Sequence, residues 1–438
     1  MYVNDLVIEL QTLDRGIRIN DRTVSCLLYA DDMVLLAENA DDLQSMMTVV
    51  NEWCQSWSMK INAGKTKIVQ FRNASVNRCI TDFHFGDQVI EMAEQYKYLG
   101  LIFTEHLDWT TMAKHVADTA NRALGLIITK FKACGNMPFD VFTKLYESLV
   151  LSVVNYGSSV WGSKTFTCIN NVHNRACRFF LGVGRQTPNS AVQGDMGWKM
   201  IYHHVWINDI KLMYRTSSMP ETRLSKHVYE WARMLSFDKK NSLYRVDEML
   251  IKLDVMFDVE HLTDYNLNAV LSDLESKLME FELKQWSDDV HRVNAVRGTG
   301  KNKLRTYRLF KQTFVSEQYV KCKYMSRKHR SAMARFRCGV APLRIETGRY
   351  ERTRLPPDQR ICPLCKNGVE DERHVLLYCP FYTDLRNDLF LSLSVGTSFN
   401  MMSDDEKFIY IFSNTNCLIV TARTLYEILE RRKILLSI

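Results

Sequence analysis

Two adjacent aspartates, Asp31 and Asp32, stand between two apolar runs of strand length, and this feature constrains the fold more than any other. The stretch from Ser25 to Ala37 reads SCLLYADDMVLLA. Both runs suit a pleated sheet, so a tight hairpin with the carboxylates at or beside its tip is predicted. Adjacent anions are stable only in water or on a cation. Out of context such a pair is an ordinary solvated turn, but the flanks here are hydrophobic enough to predict a buried hairpin, whose tip suits an oxygen-liganded cation such as Mg²⁺.

The residues after the hairpin sharpen this choice. Apolar side chains recur at helical spacing between Leu43 and Trp57, which predicts a helix over about 41–58. A polar loop containing Lys65 and Lys67 follows, and then a short predicted strand at 68–71. Taken alone, the two lysines are most simply solvated loop residues.

The order and spacing of these motifs resemble the palm of the reverse transcriptases of non-LTR (LINE-type) retrotransposons. The matching parts are Tyr-Ala-Asp-Asp, a helix ending in Trp-x-x-x-Trp, and Lys-Ile-Asn-x-x-Lys-Thr-Lys. The resemblance implies RNA-directed DNA synthesis with two Mg²⁺ ions, in which Asp31 is a catalytic ligand and Asp32 a weaker or outer one. It also implies an RNA template, a DNA target or primer and dNTP substrates. Tyr29, Lys65 and Lys67 would lie near the nucleotide or primer.

Short strands are predicted between residues 79 and 105, the last of them running from Tyr96 to Phe103, and a long helical region follows. Tyr98-Leu99-Gly100 resembles the primer grip of the same family, where Gly100 would let the backbone approach another chain closely. The alternative is that Tyr98 is only a core aromatic. Helices predicted near 109–133, 138–155 and 165–181 resemble the thumb of that family.

The resemblance includes one catalytic aspartate that has no match in this sequence. In the family, the motif at Tyr2–Leu6 lies near the end of a palm helix, and a further catalytic aspartate precedes it. Asp5, Asp14 and Asp21 stand in the wrong context to replace it. We therefore expect an N-terminally truncated fragment that retains half of the two-metal site and is inactive alone. The alternative is a non-catalytic nucleic-acid-binding protein.

Positive charge is concentrated between residues 301 and 360. This segment has 17 Lys and Arg against four acidic residues, whereas the whole chain has a formal charge of +7. Such an excess favours a polyanionic partner over a merely solvated helix face. Arginines next to aromatic residues suit phosphate contact and base stacking. The predicted nucleic-acid contacts are Arg335, Arg337, Arg344 and Arg349.

A second strong motif follows the basic segment. Its members, with the spacing C-x2-C-x8-H-x4-C, are Cys362, Cys365, His374 and Cys379. Four soft ligands that include a CxxC pair predict a closed, tetrahedral, structural Zn²⁺ site. A Cys-Cys-His-Cys motif after an Arg-rich segment also resembles the C-terminal region of the non-LTR family.

The patterns together predict an α+β fold, with a partial palm, a helical thumb and a C-terminal zinc knuckle. The expected divisions are a partial palm at 1–78, primer-grip-like hairpins at 79–105, a helical thumb at 106–190, a helical connecting region at 191–300, the basic segment at 301–360, the zinc knuckle at 361–385 and closing helices at 386–438. Gly298–Gly300 is a predicted linker. No apolar stretch has the length of a membrane span and no signal peptide is recognisable, so we expect no membrane partner and an intracellular protein, nuclear and/or cytoplasmic and not secreted, with reduced cysteines.

Overall fold

The computed structural model describes residues 3–162, 164–238, 241–255, 262–291, 304–351 and 355–437. Over these residues the chain is mainly helical with small antiparallel sheets, which agrees with the predicted α+β class. The predicted linker Gly298–Gly300 lies outside the described residues. The chain divides into two compact units. The first unit comprises residues 1–115, 157–166 and 205–272, and the second comprises 116–156, 167–204 and 273–438.

The strands form antiparallel two-stranded ribbons, each joining consecutive strands. Their bounds are β1 Ile17–Ile19, β2 Arg22–Val24, β3 Cys26–Tyr29, β4 Asp32–Leu35, β5 Phe83–Phe85, β6 Gln88–Ile90, β7 Gln95–Tyr98 and β8 Leu101–Thr104. The strand predicted at 68–71 is wrong, because the structure has only a single parallel bridge there, between Ile68 and Met92.

The helices account for most of the remaining described residues. Their bounds are α1 Asn4–Thr12, α2 Ala40–Ser56, α3 Thr110–Ala133, α4 Phe139–Leu145, α5 Ser152–Asn155, α6 Ser158–Trp161, α7 Thr167–Leu181, α8 Asn189–Met196, α9 Ile201–Ser217, α10 Leu224–Met234, α11 Ser242–Lys252, α12 Leu267–His291, α13 Tyr307–Phe310, α14 Gln318–Lys321, α15 Arg327–Arg337, α16 Arg344–Thr347, α17 Thr383–Ser392, α18 Thr397–Met401, α19 Asp404–Ser413 and α20 Leu418–Leu435. Two π-helical turns occur at Tyr146–Leu151 and His374–Tyr378. Within the described ranges, no helix is both long and apolar enough to cross a bilayer.

The core of the first unit forms where α1 packs against α2. Leu6 and Leu10 of α1 are fully buried against Met46, Val50 and Trp53 of α2. Leu6 and Leu10 lie four positions apart, and so do Met46 and Val50, which puts each pair on one helix face. This core is the surface on which the Asp-Asp hairpin rests.

Aromatic side chains dominate the core of the second unit. Phe142 lies 4.9 Å from Phe180 and 5.9 Å from Trp198, measured between ring centroids. Tyr146 also stacks on Trp198, at 4.4 Å between ring centroids. Such ring pairs add about 0.5–1.5 kcal/mol each to the free energy of area burial. The helices predicted near 109–133, 138–155 and 165–181 supply most of these residues, and their presence is confirmed.

Candidate active-site hairpin and metal centre

The β3–β4 hairpin carries Asp31 and Asp32 at its tip, as predicted. Tyr29 pairs directly with Asp32 across the ribbon, so Ala30 and Asp31 alone form the turn. Ala30 has a φ of 52°, in the left-handed region. Two-residue hairpin loops need such a conformation because their twist must match that of the strands.

The two faces of this hairpin differ in their surroundings. Cys26, Met33 and Leu35 pack against the α1–α2 core. Leu27 and Tyr29 are 37% and 63% exposed. The prediction of a buried hairpin is therefore wrong. In the described part of the chain, β3 and β4 pair only with each other, so no further strand protects their backbone edges or apolar side chains from solvent.

Both carboxylates at the tip are accessible. Asp31 and Asp32 are exposed, and no described residue makes a hydrogen bond or ion pair with either side chain. Burial, followed by the charge of Asp32, raises the pKa of the Tyr98 hydroxyl, which places Tyr98 within electrostatic reach of that carboxylate. Among the described residues, no third Asp, Glu, His or Cys joins Asp31 and Asp32 in a cluster compact enough to enclose a metal ion.

Lys65 and Lys67 line an open cleft of about 510 Å³ in the first unit. The Lys67 ammonium forms an ion pair with Glu91 at 2.5 Å. The Lys65 side chain is exposed, and its carbonyl accepts a hydrogen bond from the Tyr96 hydroxyl at 3.1 Å. Lys97 also lines the cleft. The cleft therefore concentrates three ammonium groups against one carboxylate, a balance that attracts anions.

Gly100 has a different structural role from the one that the sequence predicts. A single strand was expected through Tyr98 and Gly100, but the chain reverses there. Tyr98 pairs with Leu101, and Leu99 and Gly100 form the turn with φ values of 46° and 82°. Glycine suits this position because it adopts positive φ without the steric cost that Cβ imposes. Close approach of another chain is not needed to explain it.

Of the four arginines predicted to contact nucleic acid, one is inaccessible. Arg337 is 3% exposed, and its guanidinium donates to both oxygens of Asp195 at 3.2 Å. A second ion pair joins it to Glu317 at 3.0 Å. Burial disfavours the charged form, but Asp195 and Glu317 outweigh that effect and raise the pKa of Arg337. Its expected position at a nucleic-acid surface is therefore wrong, since the side chain is an internal structural cation.

The other three predicted arginines differ among themselves. Both amino groups of the Arg344 guanidinium contact the carboxylate of Glu351. Arg349 makes a single ion-pair contact with Glu346, at 2.9 Å. Arg335 is partly exposed on α15, with no hydrogen bond or ion pair to a described residue. Nucleic-acid contact by these three remains a prediction, and the ion pairs of Arg344 and Arg349 would compete with it.

The structure brings together the four residues predicted to bind zinc. The ligand atoms of Cys362, Cys365, His374 and Cys379 all lie within 4.8 Å of one another. Cys365 Sγ and His374 Nε2 are 3.3 Å apart. A tetrahedral ion with sulfur ligands at about 2.3 Å requires separations of roughly 3.7 Å between ligand atoms, so the donor set and its spacing fit such an ion.

Local backbone structure holds these ligands in place. The amide of Cys362 donates to the Gly368 carbonyl, which closes the loop that carries the CxxC pair. Asp371 accepts a hydrogen bond from the His374 amide at 2.8 Å and so ties the first residue of the π-helical turn to the preceding loop. The Cys379 amide donates to the His374 carbonyl at the end of that turn.

Burial shifts the pKa values of three of these residues, Cys362, His374 and Cys379. Burial raises the pKa of the Cys362 thiol, and it raises that of Cys379 to about 12. Burial also lowers the pKa of His374, which keeps the imidazole neutral as a ligand must be. A bound dication would reverse the effect on the thiols, because coordination deprotonates them.

Buried ion pairs connect this metal centre to the C-terminal helix. Glu370 is fully buried and receives two hydrogen bonds of 2.7 Å from Arg432 of α20. Glu372, also fully buried, pairs with Arg305 at 2.6 Å. Neither acid stands out in the sequence, because their arginine partners lie more than 60 positions away.

Comparison with known proteins finds similarity over the N-terminal part of the chain, which carries the hairpin. Residues 2–103 match the family model described as reverse transcriptase (RNA-dependent DNA polymerase). The chain is 29% identical over 154 residues to the RNA-directed DNA polymerase from mobile element jockey of Drosophila funebris, which covers 33% of this chain and 16% of that protein. It is 25% identical over 219 residues to the probable RNA-directed DNA polymerase from transposon BS of Drosophila melanogaster, covering 47% and 23%.

A third relative is a putative uncharacterized transposon-derived protein of Caenorhabditis elegans. It is 25% identical over 149 residues, which cover 33% of this chain and 51% of that protein. The chain thus spans between 16% and 51% of the length of these curated relatives.

The exposed Tyr-Ala-Asp-Asp hairpin lies within the segment, residues 2–103, that matches the reverse transcriptase family model. The two Drosophila relatives that the chain resembles are described as RNA-directed DNA polymerases, one from a mobile element and one, as probable, from a transposon.

Proposed function

We propose that this chain is part of an RNA-directed DNA polymerase of a non-LTR retrotransposon. Residues 1–78 form part of the palm, 79–105 the primer-grip region and 106–190 the thumb. The partners are an RNA template and a DNA target or primer, with dNTPs as substrates. The observation that supports this best is the accessible carboxylate pair at the hairpin tip, in a segment that matches the reverse transcriptase family.

Asp31 and Asp32 are the residues that would hold Mg²⁺. When bound, Mg²⁺ supplies Lewis-acid stabilisation of the transferring phosphoryl group and activation of the primer 3′-hydroxyl. The exposure of both carboxylates and the lack of an internal cation beside them suit that role. The side chains of Tyr29 and Asp32 lie on the same face of the ribbon, because directly opposed residues of an antiparallel pair share a face.

The lysine cleft would receive the phosphates of the incoming nucleotide. Lys65 is exposed there and Lys97 lines the same wall. Lys67 is held by Glu91, so its charge is partly neutralised until a phosphate competes for it. Tyr96 fixes the loop by donating to the Lys65 carbonyl. These contacts orient a polyphosphate without taking part in bond making.

The surroundings of Asp31 and Asp32 support the further proposal that the 438-residue polypeptide does not catalyse primer extension by itself. A two-metal site needs carboxylates from more than one strand to bridge two dications. In the part of the chain that the structure describes, Asp31 and Asp32 have no third carboxylate close enough to complete such a site. Two adjacent carboxylates on a solvent-exposed turn bind Mg²⁺ weakly, because water competes for the ion.

The cluster of Cys362, Cys365, His374 and Cys379 is proposed to hold a structural Zn²⁺. All four positions of a tetrahedral ion are filled by protein ligands, which leaves no open position for a substrate. Its contribution is to fold the loop between the basic segment and the closing helices.

A second candidate function is nucleic-acid binding without catalysis. The partly exposed Arg335 and the exposed Lys321, Lys323 and Lys328 favour it. This function shares the binding surfaces of the first candidate and differs from it only at the hairpin.

Primer extension by the purified 438-residue chain tests the proposal. The substrate is oligo(dT) on poly(rA), with Mg²⁺ or Mn²⁺, and the variants are Asp31→Asn and the matched control Asp87→Asn. Asp87 is an exposed aspartate in the turn of another hairpin of the same unit. We expect no extension above background for any of them. Extension that is abolished in Asp31→Asn and kept in Asp87→Asn would show that the chain is a complete polymerase.

A further inference from the structure

Among the described residues of the basic segment, most cations other than Arg335 fall into two groups. Those of the first group form ion pairs with acidic residues, or hydrogen bonds with backbone carbonyls, inside the second unit. The ion pairs are Arg305–Glu372, Lys311–Glu317, Arg337–Asp195, Arg344–Glu351 and Arg349–Glu346. The guanidinium groups that donate to carbonyls are those of Arg308, Arg330 and Arg360. The high positive charge of the sequence is therefore a poor guide to the positive charge of the surface.

A second group surrounds the loop between α14 and α15. Lys321, Lys323 and Lys328 are exposed there. Lys321 and Lys323 make no hydrogen bond or ion pair with any described residue, and Lys328 contacts only the ring of Tyr426, at 4.6 Å. No Asp or Glu occurs in the sequence between Glu317 and Glu346, so the loop has no acid of its own to neutralise these lysines.

An aromatic side chain stands in the middle of this loop. Tyr324 is 88% exposed, directly after Lys323. Full exposure of a large ring costs solvation free energy that packing would recover. The backbone around it is held, because Met325 is fully buried and its carbonyl accepts a hydrogen bond from Asn136 at 3.3 Å. The ring is thus presented on an anchored loop.

Neighbouring elements add further positive charge. Arg327 stacks on Phe131 of α3, with its guanidinium carbon 5.6 Å from the ring centroid, and so brings the loop to the end of that helix. Lys130 and Lys132, on either side of Phe131, are exposed. On α20, the positive charge of Arg423 lies within electrostatic range of His329. Glu427 of the same helix offsets part of that charge.

We propose that this lysine loop, residues 321–328 with Tyr324 at its centre, binds a single-stranded nucleic acid. The lysines would neutralise phosphates and the Tyr324 ring would stack on a base. Stacking requires an unpaired base, which a duplex does not offer, and it tolerates any sequence because every base has a π face. The inference deepens the proposed function by naming a binding surface, and it assigns the contact to residues 321–328 rather than to Arg337.

Fluorescence anisotropy on the full chain tests the loop, with labelled oligouridine and oligothymidine 15-mers and a duplex of equal length as probes. Tyr324→Ala should weaken single-strand binding about 5- to 150-fold, the equivalent of one lost stacked base. Tyr324→Phe keeps the ring and should bind within about twofold of the parent. The uridine and thymidine arms report whether the RNA or the DNA strand binds more tightly, and the proposal requires binding to at least one of them.

Charge contacts are tested by a pair of double variants with the same change in net charge. Lys321→Gln with Lys323→Gln should reduce the slope of log affinity against log salt by about 0.7 per lost phosphate contact. The control pair is Lys284→Gln with Lys433→Gln, two exposed lysines elsewhere in the second unit.

Three results would overturn the proposal: no binding by the parent chain, equal affinities for Tyr324→Ala and Tyr324→Phe, or equal salt slopes for the two double variants. Duplex binding that is as tight and as sensitive to Tyr324→Ala would overturn it as well. Because binding is measured without synthesis, absence of primer extension leaves these outcomes unaffected.

Discussion

Arg337 and Asp195 form a doubly hydrogen-bonded ion pair in the interior of the second unit, although they lie 142 positions apart in the sequence. The Tyr319 hydroxyl donates to the same carboxylate at 2.6 Å. The Arg337 guanidinium also lies over the Phe310 ring, at 4.3 Å from its centroid. An arginine predicted to meet nucleic acid is thus satisfied entirely by protein groups.

Replacement of Arg337 by alanine should destabilise the fold strongly. The change leaves the carboxylate of Asp195 buried without its cation, which costs about 3–5 kcal/mol in the free energy of unfolding. Urea unfolding measures this loss. The control is Arg335→Ala on the same helix, which should stay within about 0.5 kcal/mol of the parent. Equal stabilities for the two variants would mean that Arg337 is not the structural cation described above.

One zinc ion per chain should be found in the purified protein and lost in Cys365→Ser. Structural zinc contributes roughly 10–16 kcal/mol to the folding of isolated fingers, so loss of one thiolate should unfold the loop around it. Native mass spectrometry gives the stoichiometry. Cys417→Ser is the matched control, since Cys417 lies outside the cluster. A zinc content unchanged in Cys365→Ser would contradict the assignment.

Removal of zinc by a chelator should also loosen the end of α20. Glu370 lies in the loop between Cys365 and His374, and two hydrogen bonds from Arg432 hold it there. Hydrogen exchange of residues 425–437 should therefore accelerate together with that of residues 361–385. If only the loop responds, the ion pair does not couple the two segments.

Asp209 should make the stability of the first unit depend on pH. The side chain is 8% exposed, Oδ1 has no hydrogen-bond partner, and burial raises the pKa of the carboxyl to about 7. Between about pH 4 and pH 7, the Asp209 carboxyl therefore keeps its proton in the folded state. In an unfolded chain the same carboxyl has a pKa of about 3.9 and has released the proton. Stability contributed by the protonated carboxyl is complete below about pH 4 and is lost as the pH rises toward 7.

Asp209→Asn removes this titration and provides the measurement. Relative to the parent, the variant should gain up to about 4 kcal/mol between pH 4 and pH 8, since each pKa unit is worth about 1.36 kcal/mol. Thermal unfolding at several pH values records the difference. A constant difference between parent and variant across that range would show that Asp209 does not titrate on unfolding.

Sequence patterns predicted the local structure well where the information is local. The Asp-Asp hairpin, the helix after it and the metal-ligand cluster all depend on spacing within about 20 residues, and the structure contains each of them. The turn at Leu99–Gly100 was missed because the apolar run continues through it, and positive φ at Leu99 has no sequence signal.

Long-range partners explain the other differences. The interior position of Arg337 depends on Asp195 and Glu317, and no spacing rule links those acids to it. The hairpin was expected to be buried because its runs are apolar. One face is exposed because β3 and β4 pair with no other strand in the described chain. Tyr324 and the neighbouring lysines were not predicted as a site, because a count of charges in the sequence does not separate paired cations from exposed ones.

Mn²⁺ binding to the zinc-loaded chain, followed by electron paramagnetic resonance, tests the central claim most directly. A half-complete carboxylate site predicts one weakly held ion, with a dissociation constant of roughly millimolar order. That ion should disappear in Asp31→Asn and remain in Asp87→Asn. Two tightly bound ions would contradict the claim that the site is incomplete. Identical titrations for Asp31→Asn and the parent would contradict the assignment of Asp31 as a metal ligand.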